Sequence, residues 1–236
     1  MGHAPQRLQS LYEGAHRERL RHARKAEERA DAVLRGGGAP ESAQGAAAFS
    51  IATRNTLLPR SVLGELSESE RDVIATAFGS VAQAYRNMHL YEDSARNARQ
   101  SVKIARSLPL GQRLGVSLSL LAIALRGQGD IEGALQSIRE ARRVAEKAVY
   151  ASETERMPAM YAILSRQGAI LAGEDSINLE RPAEAVEPLR KALDLTEEAA
   201  RKSPNDYTSR SRLGTAARKL GNVLYRQEPK GGTRSL

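Results

Sequence analysis

From residue 68 onward, apolar side chains recur every three or four positions, and nowhere does the apolar/polar alternation of a half-buried strand persist. That period predicts helices at about 68–87, 91–107, 110–127, 131–149, 153–173, 182–202 and 206–227. Earlier in the chain, a long Arg-rich helix is broken by "LRGGGAP" (34–40), and a short Ala-rich helix at about 41–57 is ended by "LLPRS" (57–61). The boundaries carry their own chemistry. Ser67 with Glu70 forms a capping box, Asp130 can cap the helix after "GQG", and Pro182 suits a first turn. Ser203-Pro204 closes one helix before "NDYTS" opens the next.

The helices fall into pairs with a recurring pattern of side-chain size. First helices carry large, large, small, large: Phe78, Val81, Ala82, Tyr85; Leu118, Leu121, Ala122, Leu125; Leu164, Gln167, Gly168, Leu171. A partial fourth gives Ala217, Leu220, Gly221, Leu224. Second helices carry small, variable, small: Ser94, Ala98, Ser101; Ala134, Ile138, Ala141; Ala185, Leu189, Ala192. Small residues where a core helix usually has leucine let two helices approach closely and receive each other's large side chains.

This pattern resembles the tetratricopeptide repeat, best in "LLAIALRGQGDIEGALQSIREA" and next in "VAQAYRNMHLYEDSARNARQS". The resemblance implies an all-α, right-handed α-α superhelix, a solenoid of helical hairpins. It covers roughly residues 68–227, with repeats at about 68–108, 110–150 and 153–202 and a partial one at 206–227, inside a repeat domain of 39–228. A basic amphipathic helix with its glycine linker (1–38) would precede it, and a flexible tail (229–236) would follow. Equivalent large residues at 78, 118, 164 and 217 lie farther apart than the usual repeat of about 34 residues. Longer helices and the loop "GEDSINLERP" (173–182) must absorb the excess, and Gln167 stands where an apolar residue is expected. The stretch "INLERPAEAVEPLRKALDL" followed by "NDYTSRSRLGTAARKLGNVL" also resembles the C-terminal repeat regions of bacterial serine/threonine protein kinases. No "HRD", "DFG" or kinase glycine loop occurs, so that resemblance implies an interaction role in bacterial signalling and no kinase activity.

Composition narrows the chemistry. The 236 residues contain no Cys, which rules out disulfides and thiolate catalysis, and "MGHAPQRLQS" lacks the apolar stretch of a secretion signal. The longest near-apolar run (114–125) is too short to span a bilayer, so a cytoplasmic protein is expected. His89 lies in a turn with no nucleophile or oriented carboxylate near it in sequence, and it reads as a solvated turn residue. His16 and His22, six apart, do not share a helix face for a metal, and His3 is isolated. The acidic "GEDS" (173–176) lacks calcium-loop spacing, and "RGGGAP" has no phosphate-loop Lys. No catalytic residue, cofactor or metal is expected.

The resemblance implies a concave face formed by the first helices, where such arrays act. Projection places Gln83, Arg86 and Asn87, then Ser119, Ile123 and Arg126, then Ser165 and Ala169, then Arg218, Asn222, Tyr225 and Arg226 on it. Arg pairs with carboxylates and Asn holds extended backbone, so the expected ligand is a protein or peptide, acidic or C-terminal. The carboxylate clamp of one subclass of the family is not reproduced: Gly79 and Gln83 stand at its first-repeat positions, and Arg218 with Asn222 match it only in the last unit.

Charge supplies a second reading. Residues 200–236 carry nine Lys/Arg against two Asp/Glu, most of the net +8, and Arg212, Lys219 and Arg226 form a stripe. Such a helix could draw nucleic acid through its phosphates, although aromatic platforms for bases are scarce. Leu213, Leu220 and Leu224 would lack part of their cover, so the expectation is either that the chain is a fragment or that a partner or a second copy forming a homodimer covers them. Leu8, Tyr12, Ala15, Ala23, Ala26, Ala30 and Val33 give the N-terminal helix a rough seam for pairing.

Overall fold

The computed structural model describes residues 67–174 and 176–227. The helices expected before residue 67, the glycine linker, the side chain of Glu70 and the 229–236 tail lie outside them. Seven α-helices occupy the described residues: α1 Glu68–Asn87, α2 Tyr91–Ala105, α3 Gln112–Gln128, α4 Ile131–Lys147, α5 Glu153–Ala172, α6 Pro182–Lys202 and α7 Tyr207–Gln227. Each lies within two residues of the bounds that periodicity predicts, and no strand occurs among the described residues. The chain divides into two compact units, Met1–Ser107 and Leu108–Leu236. In the first, α1 pairs with α2; in the second, α3 pairs with α4, α5 with α6, α4 also meets α5, and α7 lies against α6. The fold is all-α and built from helical hairpins.

Local chemistry sets the helix ends. The Asp130 carboxylate accepts from Gly133 N at 2.9 Å, and Ser152 Oγ accepts from Glu155 N at 3.3 Å. Asp206 accepts from Ser209 N at 2.7 Å and opens α7. Gly129, with φ +90°, closes α3 in the left-handed region that glycine occupies without steric cost. At the corresponding turn of the first hairpin, His89 takes the same region with φ +59° and places Nδ1 2.9 Å from the Tyr91 hydroxyl. His89 is exposed and serves the turn.

All nine small-variable-small positions of the second helices are buried: Ser94, Ala98 and Ser101 in α2, Ala134, Ile138 and Ala141 in α4, Ala185, Leu189 and Ala192 in α6. Where α2 has serine instead of alanine, the hydroxyls donate to carbonyls of the facing helix, Ser94 to Ala82 at 2.8 Å and Ser101 to Ala75 at 2.7 Å. A buried hydroxyl without such a partner would cost about 1–3 kcal/mol. The closest approach is in the third hairpin. A Cβ added to Gly168 would lie 2.5 Å from Leu189 Cδ2, so only glycine allows α6 to sit where it does.

Gln167 stands one position before it, buried, with Oε1 unpartnered. Its counterparts Val81 and Leu121 are apolar and buried. Gln167→Leu is therefore expected to raise the unfolding free energy by about 1–2 kcal/mol, because it removes an unsatisfied buried acceptor. Urea denaturation checks this through the midpoint at unchanged m.

A polar seam joins the second helices α4 and α6. Arg142 grips Glu187 with two bonds of 2.7 Å and also donates to Glu146 at 2.8 Å. Arg139 pairs with Glu184 at 2.9 Å, and Arg181 with Glu132 at 2.7 Å. The bond from Arg142 is the main cause that pulls the Glu187 carboxyl from 4.5 down to about 2. A carboxyl depressed in the folded state stabilises fully above its unfolded value, so this contribution is present above pH 4.5 and fades as pH falls towards 2. More than half of the Glu187 side-chain surface is exposed, so screening holds its size below about 1 kcal/mol. Glu187→Gln is expected to flatten the stability–pH curve over that interval, and chemical denaturation at a series of pH values measures it.

Candidate functional site

In the second unit, the first helices α3, α5 and α7 carry most of the residues that projection selects. Ser119 is buried, and its hydroxyl accepts from Arg166 Nη1 of α5 at 2.6 Å. Ser165 is buried too, with Oγ unpartnered. Projection along a single helix puts both on the groove wall; neither is open to a ligand, since Arg166 of the next hairpin lies on Ser119 and Ser165 is itself buried. Ile123 and Arg126 are half-buried, and Arg218, Tyr225 and Arg226 are exposed.

Three of the polar groups share a task. Arg126 Nε donates to the Ile177 carbonyl at 2.7 Å, and its Nη2 donates to that of Ser176 at 3.1 Å. From α7, Arg226 Nη1 donates to the Ala172 carbonyl at 2.8 Å, and Asn222 Nδ2 donates to the Glu174 carboxylate at 2.6 Å. All four bonds end on the close of α5 and the irregular segment after it. That segment also holds itself: Leu179 N donates to Ile170 O at 3.0 Å, Arg181 N to Leu171 O at 2.8 Å, and Asn178 Nδ2 to Gly173 O at 2.7 Å. The loop that the repeat spacing requires is thus clasped from the preceding and the following first helix. Arg126 holds its main-chain carbonyls, and Arg226 holds the last carbonyl of α5.

In the first unit, Gln83 and Asn87 are exposed and Arg86 is half-buried, with its guanidinium 3.0 Å from Asn87 Oδ1. Arg166 escapes sequence projection because the serine it binds lies 47 residues away. Among the described residues no group of three or more His, Asp or Glu is gathered as for a metal, and no helix is long and apolar enough to cross a membrane.

Comparison with known families adds one finding. Residues 73–147 match the tetratricopeptide repeat. The match runs from α1 to the end of α4 and takes in the two hairpins whose turns hold His89 and Gly129. Tetratricopeptide repeats generally mediate protein–protein interaction, and the fold is typically a non-catalytic scaffold. Among solved structures, a tetratricopeptide-like protein from Chlorobium tepidum is 20% identical with a TM-score of 0.49, covering 66% of this chain and 99% of its own. The tetratricopeptide-like repeats of a Podospora anserina putative kinesin light chain are 18% identical with a TM-score of 0.47, covering 88% of this chain and 90% of theirs. The search of curated proteins found no match.

Proposed function

We propose that this chain is a non-catalytic interaction module that holds an acidic peptide or protein segment along the polar faces of its first helices. The observation that carries the reading is the clasp itself. Arg126 donates to two main-chain carbonyls of a non-helical segment, which is how an extended peptide would be held, and Arg226 donates to the carbonyl that ends α5. Arg218 and Tyr225 stand exposed beside them, and Arg86 with Gln83 and Asn87 offers the same chemistry in the first unit. Arginine pairs bidentately with carboxylates, which favours an acidic segment. The likeness of residues 177–195 and 205–224 to the repeat regions of bacterial serine/threonine kinases supports a place in bacterial signalling, in the cytoplasm.

The test is capture of a fluorescent, Glu-rich peptide by the full chain, followed by anisotropy. Arg86→Glu and Arg218→Glu are expected to weaken capture with an unchanged circular dichroism spectrum. Capture indifferent to both overturns the reading. A salt-titrated mobility shift with DNA and RNA examines the alternative raised by the basic last helix. Tight binding there, with no peptide capture, would replace the proposal.

A further inference from the structure

Helix α7 is buried on one side only. Ala216, Leu220 and Val223 are buried, whereas Ala217 and Gly221 are exposed and Leu224 is 38% exposed. By repeat spacing, positions 217, 221 and 224 correspond to 164, 168 and 171 in α5 and to 118, 122 and 125 in α3. All six of those counterparts are buried within their hairpins. The contrast is sharpest at the small residue. A Cβ on Gly168 would meet Leu189 of the paired helix at 2.5 Å, while one on Gly221 would meet nothing within 4 Å. The notch that admits a second helix is present in α7, and no described residue fills it.

The same helix carries Arg210, Arg212, Arg218, Lys219 and Arg226 without one Asp or Glu. Arg210 and Arg218 are exposed, the first in line with the open stripe ahead of Ala217 and the second at its side, eight residues or about 12 Å apart along the axis. Tyr225, 74% exposed, stands at its far end. Tyr and Arg beside a small-residue notch are the side chains that dominate protein interfaces. Two copies of this face would oppose one cationic rim with another, which disfavours a second copy of the chain as occupant.

We propose that the outward face of α7 docks an acidic α-helix of a partner protein, with an aliphatic side chain seated over Gly221 and carboxylates reaching Arg210 and Arg218. The docked helix takes the place that α6 holds against α5. Shape comes from the repeat, and specificity comes from charge.

The probe is a stapled peptide of residues 131–147, a second helix of this protein, carrying Arg139→Glu and Arg142→Glu. The unaltered peptide has the same packing face with a basic rim and serves as control. By calorimetry with the full chain, the acidic peptide is expected to bind at least about tenfold tighter than the control. Gly221→Leu should abolish binding, and Arg210→Glu should erase the preference for the acidic form. Gly221→Leu has open space around it and removes a helix glycine, so its melting temperature should not fall. Equal binding of both peptides, no binding of either, or binding indifferent to Gly221→Leu overturns the proposal. Sedimentation showing a dimer lost in Gly221→Leu also overturns it, in favour of a second copy. Arg218 serves both readings, so they are told apart by Arg86→Glu, which leaves α7 intact, and by Arg210→Glu, which leaves Arg86 in place.

Discussion

Gly168→Leu is expected to lower the unfolding free energy by about 2 kcal/mol, an overpacking strain of about 3 kcal/mol less the helix propensity that leucine regains. The first added carbon would lie 2.5 Å from both Cγ and Cδ2 of Leu189, which is 2% exposed and has no room to swing aside. Helix α6 must move away from α5, and with it the partners of the α4–α6 seam. Leucine returns up to about 1 kcal/mol of helix propensity over glycine, which falls short of the strain. Thermal unfolding should show a melting temperature lower by about 4–8 °C, by the usual scaling for a domain of this size. An unchanged melting temperature would mean that α5 and α6 do not nest through glycine. Gly221→Leu is the internal control, since the same chemical change in open space carries no such cost.

Phe78→Ala is expected to cost about 3–5 kcal/mol, the usual range for removing a buried aromatic ring. Phe78 is 1% exposed and sits in α1 among buried Ala75, Ala82 and Tyr85 of the same helix. The α1–α2 hairpin otherwise has a core rich in small residues, Ala95, Ala98 and Ala105 among them, so little can collapse into the space left behind. Repeat arrays distribute stability by unit and nearest neighbour. Amide hydrogen exchange should therefore show protection lost first in Glu68–Ala105, while Pro182–Lys202 keeps most of its own. Uniform loss over all helices at the same exchange free energy would mean that the chain unfolds as a single cooperative block.

Much of the hairpin architecture was legible because each helix repeats one local rule. The run Ala134, Ile138, Ala141 shares a helix face by spacing alone, and all three are fully buried. Asp130 could be read as a cap, and is one, because a cap involves only neighbours three residues apart. The candidate binding face was legible in part. Arg218 and Tyr225 are exposed, whereas Ser119 and Ser165, projected onto the same face, are buried. Projection along one helix carries no information on where the next hairpin sets its arginine.

By itself, the sequence determined the seven helices of the described residues, their bounds to within two residues, their pairing and the small-residue positions at which the first three hairpins nest. Those properties follow from side-chain size and period within some 40 residues of chain. Only the tertiary structure decided which cations are spent and which stand open. Arg126 and Arg226 bind carbonyls about 50 residues away, Arg142 binds Glu187 of another hairpin, and Gly221 keeps the empty notch that its counterpart Gly168 fills with Leu189. Long-range hydrogen bonds and helix contacts depend on how hairpins stack, and no local pattern encodes that distance.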